Sequence, residues 1–333
     1  MSLSSVEPPP RRFIALHEAL DASPARKLRG AVLALGNFEG VHRGHRAVIA
    51  AAVDRARLLG RPAAALTFEP HPRAFFKPHE PLFRLTDETA KLRLLAATEL
   101  DGAIVMKFDG ALAGLVPEAF VKEVLVGRLE VSGVVVGFDF HFGKARAGTP
   151  TLLREEGERH GFHVDVVPAQ LDGGLRISSG AVRAALAAGN ADEAAELLGY
   201  PWFVTAKVVH GDRRGRKLGF PTANLRLDPA CGLRHGIYAV RVEVDGKRFD
   251  GVANFGRRPM FDTGVVLLEI FLFDFAGDLY GRTLDVAVIA WIRPEFKFDS
   301  VDALVHRMDE DCRMAKMALK SAGDAFPPLG KVG

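Results

Sequence analysis

The spacing of hydrophobic positions changes along the chain, and its first regime begins near residue 31. Short apolar runs alternate there with longer segments whose apolar residues recur at helical spacing. The predicted strands are 31–35, 63–66, 103–106, 134–136 and 163–167. The predicted helices are 43–59, 88–98, 117–126 and 152–160. Strands that alternate with helices indicate an α/β domain with a parallel sheet covered on both faces, and strands this short and apolar suit its buried middle.

A second regime follows an alanine-rich helical stretch over 178–198, which Gly189 and Asn190 interrupt. We place the domain junction in this stretch. Beyond it, strand-like runs are separated by turn signals such as Asp245-Gly246, without intervening helices. The predicted strands are 203–209, 238–244, 251–254, 265–273 and 284–291. They predict a small antiparallel β-barrel, closed by a C-terminal helix over 299–319. The predicted domains are therefore 13–186 and 200–322, with a junction helix over 187–199.

Composition narrows the class of protein. A length of 333 residues fits two domains, and 48% hydrophobic with 26% charged residues is typical of a soluble globular chain. The net charge is +3 and the basic residues are dispersed, so we expect no nucleic-acid partner. The start of the chain lacks the apolar core of a signal peptide, and no apolar run reaches the roughly 18 residues of a membrane span. We therefore expect a cytoplasmic protein with no membrane partner. A weak homo-oligomer stays open.

The cysteine content argues against two kinds of site. Cys231 and Cys312 lie far apart and neither belongs to a CxxC pair. Two unpaired thiols in a reducing compartment are therefore expected, rather than a disulfide framework or a zinc site.

The first candidate site follows the first predicted strand, where the segment GNFEGVHRGH, residues 36–45, leads into a helix. Its glycines let a ligand approach the backbone closely, and the first N–H groups of the helix favour a phosphate. His42 and His45 are three residues apart, so they project from nearly the same face, with Gly44 between them. Two imidazoles at a helix start suit stabilisation of a phosphate during nucleotidyl transfer. The alternative is a pair of surface histidines.

The second candidate site is the loop over 210–224, which holds three glycines and four basic residues and ends in GFPTAN. Such glycines let backbone N–H groups surround phosphates. Pro221 stiffens the approach to Thr222. The Thr222 hydroxyl and the Asn224 carbonyl are hard oxygen ligands that suit Mg²⁺. The alternative is a basic surface loop between two strands.

A single carboxylate interrupts the apolar run VVLLEIFLF, residues 265–273. Alternation puts Glu269 on the same face as Leu267 and Phe271. A carboxylate in such a strand is costly unless it is paired or functional. The alternative is an edge-strand charge that discourages aggregation.

These segments together resemble the bacterial bifunctional riboflavin kinase/FAD synthetase family. GNFEGVHRGH is similar to the signature of the HxGH nucleotidyltransferases, whose domain is Rossmann-like, and GFPTAN is similar to the riboflavin kinase signature. LTFEPHPR, VGFDFHFGK and RISSGAVR match further family segments, and the resemblance spans about residues 31–316. It implies Mg²⁺- and ATP-dependent phosphorylation of riboflavin to FMN by the C-terminal half. It also implies adenylylation of FMN to FAD by the N-terminal half, with release of pyrophosphate.

The resemblance also implies residue roles. Glu269 would accept the proton of the riboflavin 5′-hydroxyl, His42 and His45 would be catalytic in adenylyl transfer, and Thr222 and Asn224 would hold the metal. The ATP-binding residues implied for the adenylyltransferase are Gly36, Phe38, Gly40, His42, Gly44, His45, Asp139, Arg176, Ser179 and Arg183. Those implied for the kinase are Gly211, Arg216, Gly219, Phe220, Pro221, Thr222 and Asn224. The implied flavin contacts are Phe68, Pro70, His71, Pro72, Asn254 and Arg293.

Three positions of the N-terminal half depart from the family pattern. Glu39 stands where Asp is usual, Gly180 where the family's S-S-T element has Thr, and His141 where Arg is common. Because both histidines, Ser179 and Arg183 are intact, we expect an active adenylyltransferase.

Three other functions stay open at this point. The first is a riboflavin kinase whose N-terminal half is inactive because of Glu39 and Gly180. The second is a non-catalytic flavin- or nucleotide-binding protein, although such a protein would need neither metal ligands nor a base. The third is an adenylyltransferase for another phosphate or for RNA, although the attached kinase domain argues for a flavin substrate.

Overall fold

The computed structural model describes residues 12–20, 22–23, 26–172, 174–211, 218–257 and 266–333. The chain forms two compact units. The first unit runs to Glu80 and also contains Glu88–Gln170 and Leu329–Gly333. The second contains Pro81–Asp87 and Leu171–Pro328.

The first unit is built on a six-stranded sheet. Its strands are β1 (Ile14–Glu18), β2 (Val32–Leu35), β3 (Ala63–Glu69), β4 (Gly102–Lys107), β5 (Gly133–Gly137) and β6 (His163–Val167). They lie in the order β1-β4-β3-β2-β5-β6, and all neighbours are parallel. The predicted parallel sheet is confirmed. The edge strand β1 was not predicted, because an edge strand is only partly buried and lacks the continuous apolar run of its neighbours.

Helices cover this sheet. They are α1 (Arg43–Leu59), α2 (Pro72–Phe76), α3 (Glu88–Ala96), α4 (Gly110–Gly114), α5 (Pro117–Ala119), which continues as a π-helix over Phe120–Arg128, and α6 (Pro150–His160). α1 has the predicted bounds and ends where Gly60 adopts a φ of 62°. Leu33, Leu66 and Ile104, on three neighbouring strands, are fully buried, as expected for the middle of a sheet between two helical layers.

The strand order reverses at β2. The chain passes from β2 to β3 and β4 on one side of the sheet, then returns to place β5 on the other side of β2. In open α/β sheets ligands bind at such a point, beyond the carboxyl ends of the strands. The segments that follow β2, β3 and β5 therefore share one edge of the sheet.

The second unit contains a closed antiparallel barrel. Its strands are β9 (Phe203–Val209), β10 (Ala223–Leu227), β11 (Gly236–Val244), β12 (Lys247–Arg257), β13 (Val266–Leu272) and β14 (Thr283–Arg293), after the short pair β7 (Leu171–Asp172) and β8 (Leu175–Arg176). The barrel order is β10-β13-β12-β11-β14-β9. The predicted barrel is confirmed, with β10 in addition. Sequence reasoning treated the residues of β10 as part of the nucleotide loop, whereas closure requires them between β9 and β13.

Capping and turn residues fix the ends of elements in the second unit. Its helices are α7 (Ser179–Ala188), α8 (Ala191–Leu198) and α9 (Val301–Ser321). Ser178 and Ser300 cap α7 and α9 through their hydroxyls. Asp245 and Gly246 both have positive φ and join β11 to β12 in a two-residue hairpin turn.

Two further features concern the whole chain. No helix in the described ranges is both long and apolar enough to cross a membrane. Cys231 and Cys312 are free thiols, and burial raises the pKa of each to about 11.

A buried ion pair fastens α9 to the barrel. Arg293, at the end of β14, donates from Nε and Nη2 to the Asp311 carboxylate at 2.7 and 2.5 Å. We expect Asp311→Asn to lower the free energy of unfolding of this unit by about 3–5 kcal/mol, because it leaves the Arg293 guanidinium buried without its counter-charge. Both tryptophans of the chain, Trp202 and Trp291, lie in this unit, so their fluorescence in urea reports its unfolding.

The matched control is Asp309→Asn, a change of the same type at an exposed position of the same helix. It should change the unfolding free energy by no more than about 0.5 kcal/mol. Equal effects of the two changes would contradict a special contribution from the buried pair.

Candidate active sites

The turn between β2 and α1 is strained. Phe38, Gly40 and Val41 have φ of 48°, 71° and 37°, and a β-branched residue rarely adopts a positive φ. The segment holds this conformation because Phe38 and Val41 are buried. Strain of this kind is common at ligand sites, where the surrounding structure maintains it. The predicted site residues Gly36, Gly40 and Gly44 lie in or beside this turn.

The two histidines lie against each other at the start of α1. Their ring centroids are 3.6 Å apart with an angle of 14° between the planes. The Nδ1 atom of His42 accepts a hydrogen bond from the His45 backbone N–H at 3.2 Å. An accepting Nδ1 carries no proton, so in this arrangement His42 can donate only from Nε2.

His45 is uncharged at neutral pH. Burial, with smaller contributions from His42 and Lys91, lowers its pKa well below the usual value. Its Nδ1 is buried and has no hydrogen-bond partner among the described residues. Two imidazoles at a helix N-terminus can donate N–H groups to a phosphoryl oxygen.

Two neighbouring side chains support this pair. The buried Phe38 ring meets His45 edge-on at 5.3 Å, so a contact between Phe38 and ATP would have to come from its backbone. The buried Glu39 carboxylate lies 3.7 Å from Nε2 of His71, in the segment after β3. The longer stem of Glu39, relative to Asp, thus reaches a residue of the predicted flavin segment.

Aromatic rings surround the end of β3, which contains Phe68, and the segment after it, which contains Pro70, His71 and Pro72. Phe108 meets Phe68, Phe75 and Phe76 edge-on, with centroids 5.4–5.9 Å apart. Phe76 is 62% exposed. Sequence reasoning missed Phe75, Phe76 and Phe108, although the pair of phenylalanines directly after the matched segment was an available signal. Exposed aromatic surface here suits a flat ring system.

The segment after β5 lies on the other side of β2. Asp139 follows Gly137, and a side chain at Gly137 would come within 3.4 Å of the Asp139 carboxylate. His141, one of the departures from the family pattern, makes a 2.8 Å contact between its Nδ1 and the Asp139 carbonyl oxygen. It therefore helps to hold the turn that presents Asp139.

The three remaining predicted phosphate ligands lie in the second unit. Arg176 ends β8, Ser179 begins α7, and Arg183 follows one helical turn later. The Nε of Arg183 donates to the Phe83 carbonyl at 2.5 Å. At Gly180 the nearest atom that an added Cβ would meet is the Ser178 Oγ, at 3.7 Å, so a larger residue fits there.

The second site is a row of polar side chains across three barrel strands. Asn224 on β10 and Asn254 on β12 each pair with Glu269 on β13. Residues paired in this way point to the same face, with Cβ atoms about 4.5–5.5 Å apart. The neighbours Leu268 and Ile270 are buried in the barrel, so the row lies on its outer face. Leu267 and Phe271 alternate with the buried residues as Glu269 does, which confirms the predicted face of this strand.

The two amide oxygens in the row have no partner among the described residues. Asn224 is 5% exposed, and neither its Oδ1 nor that of Asn254 has a hydrogen-bond partner within the described ranges. Gly211 packs directly on Asn224, because a Cβ there would lie 2.5 Å from the amide nitrogen. A buried carbonyl oxygen without a donor is costly unless a cation or a substrate hydroxyl satisfies it.

Packing fixes the segment that carries these groups. Phe220 meets Phe271 edge-on at 5.3 Å, and this contact anchors Pro221 and Thr222 beside the row. Gly219 has a φ of 87° and lies in the turn that leads to it. The predicted phosphate ligand Arg216 lies outside the described residues.

Arg293 is held by protein groups. Besides Asp311, its guanidinium reaches the Pro294 carbonyl from Nη1 at 2.7 Å and lies 5.0 Å from the Phe296 ring centroid. Sequence reasoning missed Asp311. We infer that Arg293 shapes the segment that follows β14, and its predicted contact with flavin stays a prediction.

Comparison with known proteins assigns the two regions. The family model described as FAD synthetase matches residues 25–181, and that described as riboflavin kinase matches residues 198–319. The bifunctional riboflavin kinase/FMN adenylyltransferase of Escherichia coli K12 is 41% identical over 283 residues, which cover 85% of this chain and 90% of that protein. The chain belongs to the bifunctional riboflavin kinase/FMN adenylyltransferase family. The Haemophilus influenzae member is 38% identical and covers 89% of this chain and 96% of that protein.

A solved structure shares the fold of this family member. The crystal structure described as a macrolide-efflux protein from Streptococcus pneumoniae is 30% identical, with a TM-score of 0.81. The match covers 91% of this chain and 99% of the chain in that structure. Both family activities are transferase reactions, so the predicted enzyme class is confirmed.

The donors around Thr222 and Asn224 decide whether this site suits Mg²⁺. No three His, Cys, Asp or Glu side chains in the described ranges are grouped to hold a metal ion. The buried, unpartnered Asn224 Oδ1, with Thr222 two residues earlier, offers instead the hard oxygen donors that Mg²⁺ takes together with substrate phosphates. These residues fit the ion that the kinase reaction implies.

Gly211 should be essential for the kinase site. In Gly211→Ala the added Cβ displaces the Asn224 amide, and we expect FMN formation to fall on the order of 10²-fold, because small misplacements of site groups have effects of that size. FAD formation from supplied FMN should not change. Gly110→Ala, where an added Cβ meets nothing within 4 Å, is the control and should leave both rates unchanged. Normal FMN formation by Gly211→Ala would show that the Asn224 position is not critical.

Proposed function

We propose that this chain phosphorylates riboflavin to FMN at the Asn224–Glu269–Asn254 row and adenylylates FMN to FAD at the histidine pair. The observation that carries the proposal is that each family signature holds a buried polar atom with no hydrogen-bond partner among the described residues: Asn224 Oδ1 in one unit and His45 Nδ1 in the other. The alternative readings receive no comparable support, since relatives that share most of the chain are bifunctional by name.

In the kinase reaction Glu269 accepts the proton of the riboflavin 5′-hydroxyl as that oxygen attacks the γ-phosphorus of ATP. ADP leaves, and the phosphoryl group stays on riboflavin as FMN. The polar row supports this role because Glu269 lies between two amide side chains that can position the hydroxyl and the phosphates. The backbone at Gly211 and Gly219, with Arg216, is proposed to hold the phosphates.

Thr222 and Asn224 would hold Mg²⁺ in this site. When bound, the ion neutralises charge on the phosphate oxygens during transfer. The residues of the chain position the two substrates and remove the proton, while Phe220 keeps the ligand segment against the barrel.

In the second reaction a phosphate oxygen of FMN attacks the α-phosphorus of ATP, and pyrophosphate leaves. His42 and His45 donate N–H groups to the phosphoryl oxygens as charge develops there. The first N–H groups of α1, at the positive end of the helix dipole, favour the same phosphates. Catalysis is by positioning and charge stabilisation; no covalent intermediate is required.

Further contacts follow from the family motifs. Arg176, Ser179 and Arg183 are proposed to bind ATP phosphates, and Asp139 to bind ATP beside the histidine turn. The segment from Phe68 to Pro72 is proposed to contact the flavin. Asn254 and Arg293 are proposed to contact riboflavin in the kinase site.

The cellular setting of the protein also stays a prediction. We propose a cytoplasmic enzyme whose partners are riboflavin, FMN and ATP, with no nucleic-acid or membrane partner. The domain limits 13–186 and 200–322, joined by 187–199, and a weak homo-oligomer are likewise proposals.

Two single variants test the assignment. With riboflavin, ATP and Mg²⁺, Glu269→Gln should form FMN at least about 10²-fold more slowly, because a general base is lost, yet convert supplied FMN to FAD normally. His45→Asn should form FMN normally and accumulate it, with FAD formation about 10²–10³-fold slower. Chromatography of the flavins over time measures both. A loss of both activities in either variant would contradict two separate sites.

Gly180 offers a gain of function. Thr fits at this position, and its hydroxyl can donate one hydrogen bond to a phosphate. Such a bond contributes about 0.5–1.5 kcal/mol, so Gly180→Thr should lower the KM for ATP in FAD formation by roughly 2- to 10-fold. Gly180→Ala, which adds the Cβ without the hydroxyl, is the matched control. An equal KM in the two variants would exclude a phosphate contact at this position.

A further inference from the structure

A lysine outside every motif is buried beside the histidine pair. Lys91 lies on α3 and is 1% exposed. Its Nζ donates to Oε1 of Glu69 at 2.7 Å and to Oγ1 of Thr67 at 3.2 Å. Lysine is almost never fully buried unless it is paired, so this position has a specific use.

The lysine connects three parts of the first site. Thr67 Oγ1 donates to the Asn37 carbonyl at 3.1 Å, in the turn that leads to the histidines. Glu69 directly precedes the Pro70-His71-Pro72 segment. α3 itself packs against the 3₁₀ turn Glu39–Val41. One ammonium group thus joins the helix, the end of β3 and the histidine turn.

Its charge also reaches the histidines. Lys91 and His42 are the ionisable groups that, after burial, lower the pKa of His45. Other charged or titratable groups on the adjoining elements include Glu69, which pairs with Lys91, Glu39 with His71, and Arg46, whose Nε donates to the Val41 carbonyl. A leucine or methionine could fill the same volume, but it could neither bind Thr67 and Glu69 nor act on His45.

We propose that Lys91 is a positioning residue for adenylyl transfer, which locks the histidine turn to the end of β3 and so sets the histidine pair relative to the flavin segment. This inference rests on the proposed function of the histidine pair. Lys91 touches neither substrate; it acts through Thr67, Asn37 and Glu69.

The first test is Lys91→Met in the full chain, which keeps the volume and removes the ammonium group. FAD formation from supplied FMN should fall on the order of 10²-fold through kcat. FMN formation from riboflavin, measured on the same preparation, should stay within about twofold. Lys122→Met, an exposed lysine of the same unit, is the control and should change neither rate.

A second variant tests whether Lys91 positions the histidine turn or only neutralises the charge of Glu69. Glu69→Gln/Lys91→Met removes both charges, so no carboxylate is left buried alone. It should remain as slow as Lys91→Met in FAD formation, whereas Lys91→Arg should recover part of the rate. Full recovery in the double variant, or an unchanged rate in Lys91→Met, would overturn the proposal. If Lys91→Met unfolds the first unit, the comparison of the double variant with Lys91→Arg decides.

A third readout does not depend on activity. The imidazole signals of His45, assigned by their loss in His45→Asn, can be followed by NMR as a function of pH. Loss of a nearby positive charge raises the pKa of a histidine, so the His45 midpoint should move to higher pH in Lys91→Met. An unchanged midpoint would contradict the coupling. If His45→Asn itself retains full FAD formation, the proposed site of adenylyl transfer fails, whatever Lys91 does.

Discussion

Asn224 is buried on the outer face of the barrel, where Gly211 packs on its amide, and its Oδ1 has no hydrogen bond within the described part of the chain. Leaving such a group unsatisfied costs about 1–3 kcal/mol, which the rest of the fold must offset. The same holds for Nδ1 of His45 in the other unit. In each site the protein holds a buried polar atom in a fixed orientation. The strand register of the barrel fixes the orientation of Asn224, and the left-handed turn after β2 fixes that of His45. Groups fixed in this way need no reorganisation when a phosphate arrives.

The architecture could be predicted wherever one segment carries its own signal. The buried central strands, α1 and the Asp245-Gly246 hairpin follow from local apolar spacing and turn residues. Strands β1 and β10 were not predicted, because their positions depend on partners elsewhere in the chain. β1 is an edge strand held by β4, and β10 is a strand only because β9 and β13 require it to close the barrel. The sequence of β10 also carries site residues, so its second role as a strand was hidden.

The sites show a similar division. His42, His45, Thr222, Asn224 and Glu269 stand in compact motifs whose chemistry can be recognised from residue type and spacing. Lys91, Phe108 and Asp311 could not be found in this way, because each becomes relevant only through a partner more than ten residues away in sequence. The neutral state of His45 was also beyond sequence reasoning, since burial is its largest cause. Motifs therefore identify the groups that face the ligand, whereas the groups that hold them in place emerge from tertiary contacts.

The chain crosses between the two compact units several times, with consequences for its synthesis on the ribosome. Residues 329–333 belong to the first unit, where Gly330 N–H donates to the Arg93 carbonyl and Gly333 N–H to the Phe13 carbonyl. These residues are translated after the whole barrel. Domains generally fold in the order in which they emerge, N-terminal first. Here the first unit to emerge waits for its last backbone hydrogen bonds until the second has been translated. A gene cut between the two units would therefore remove these two backbone hydrogen bonds from the first unit.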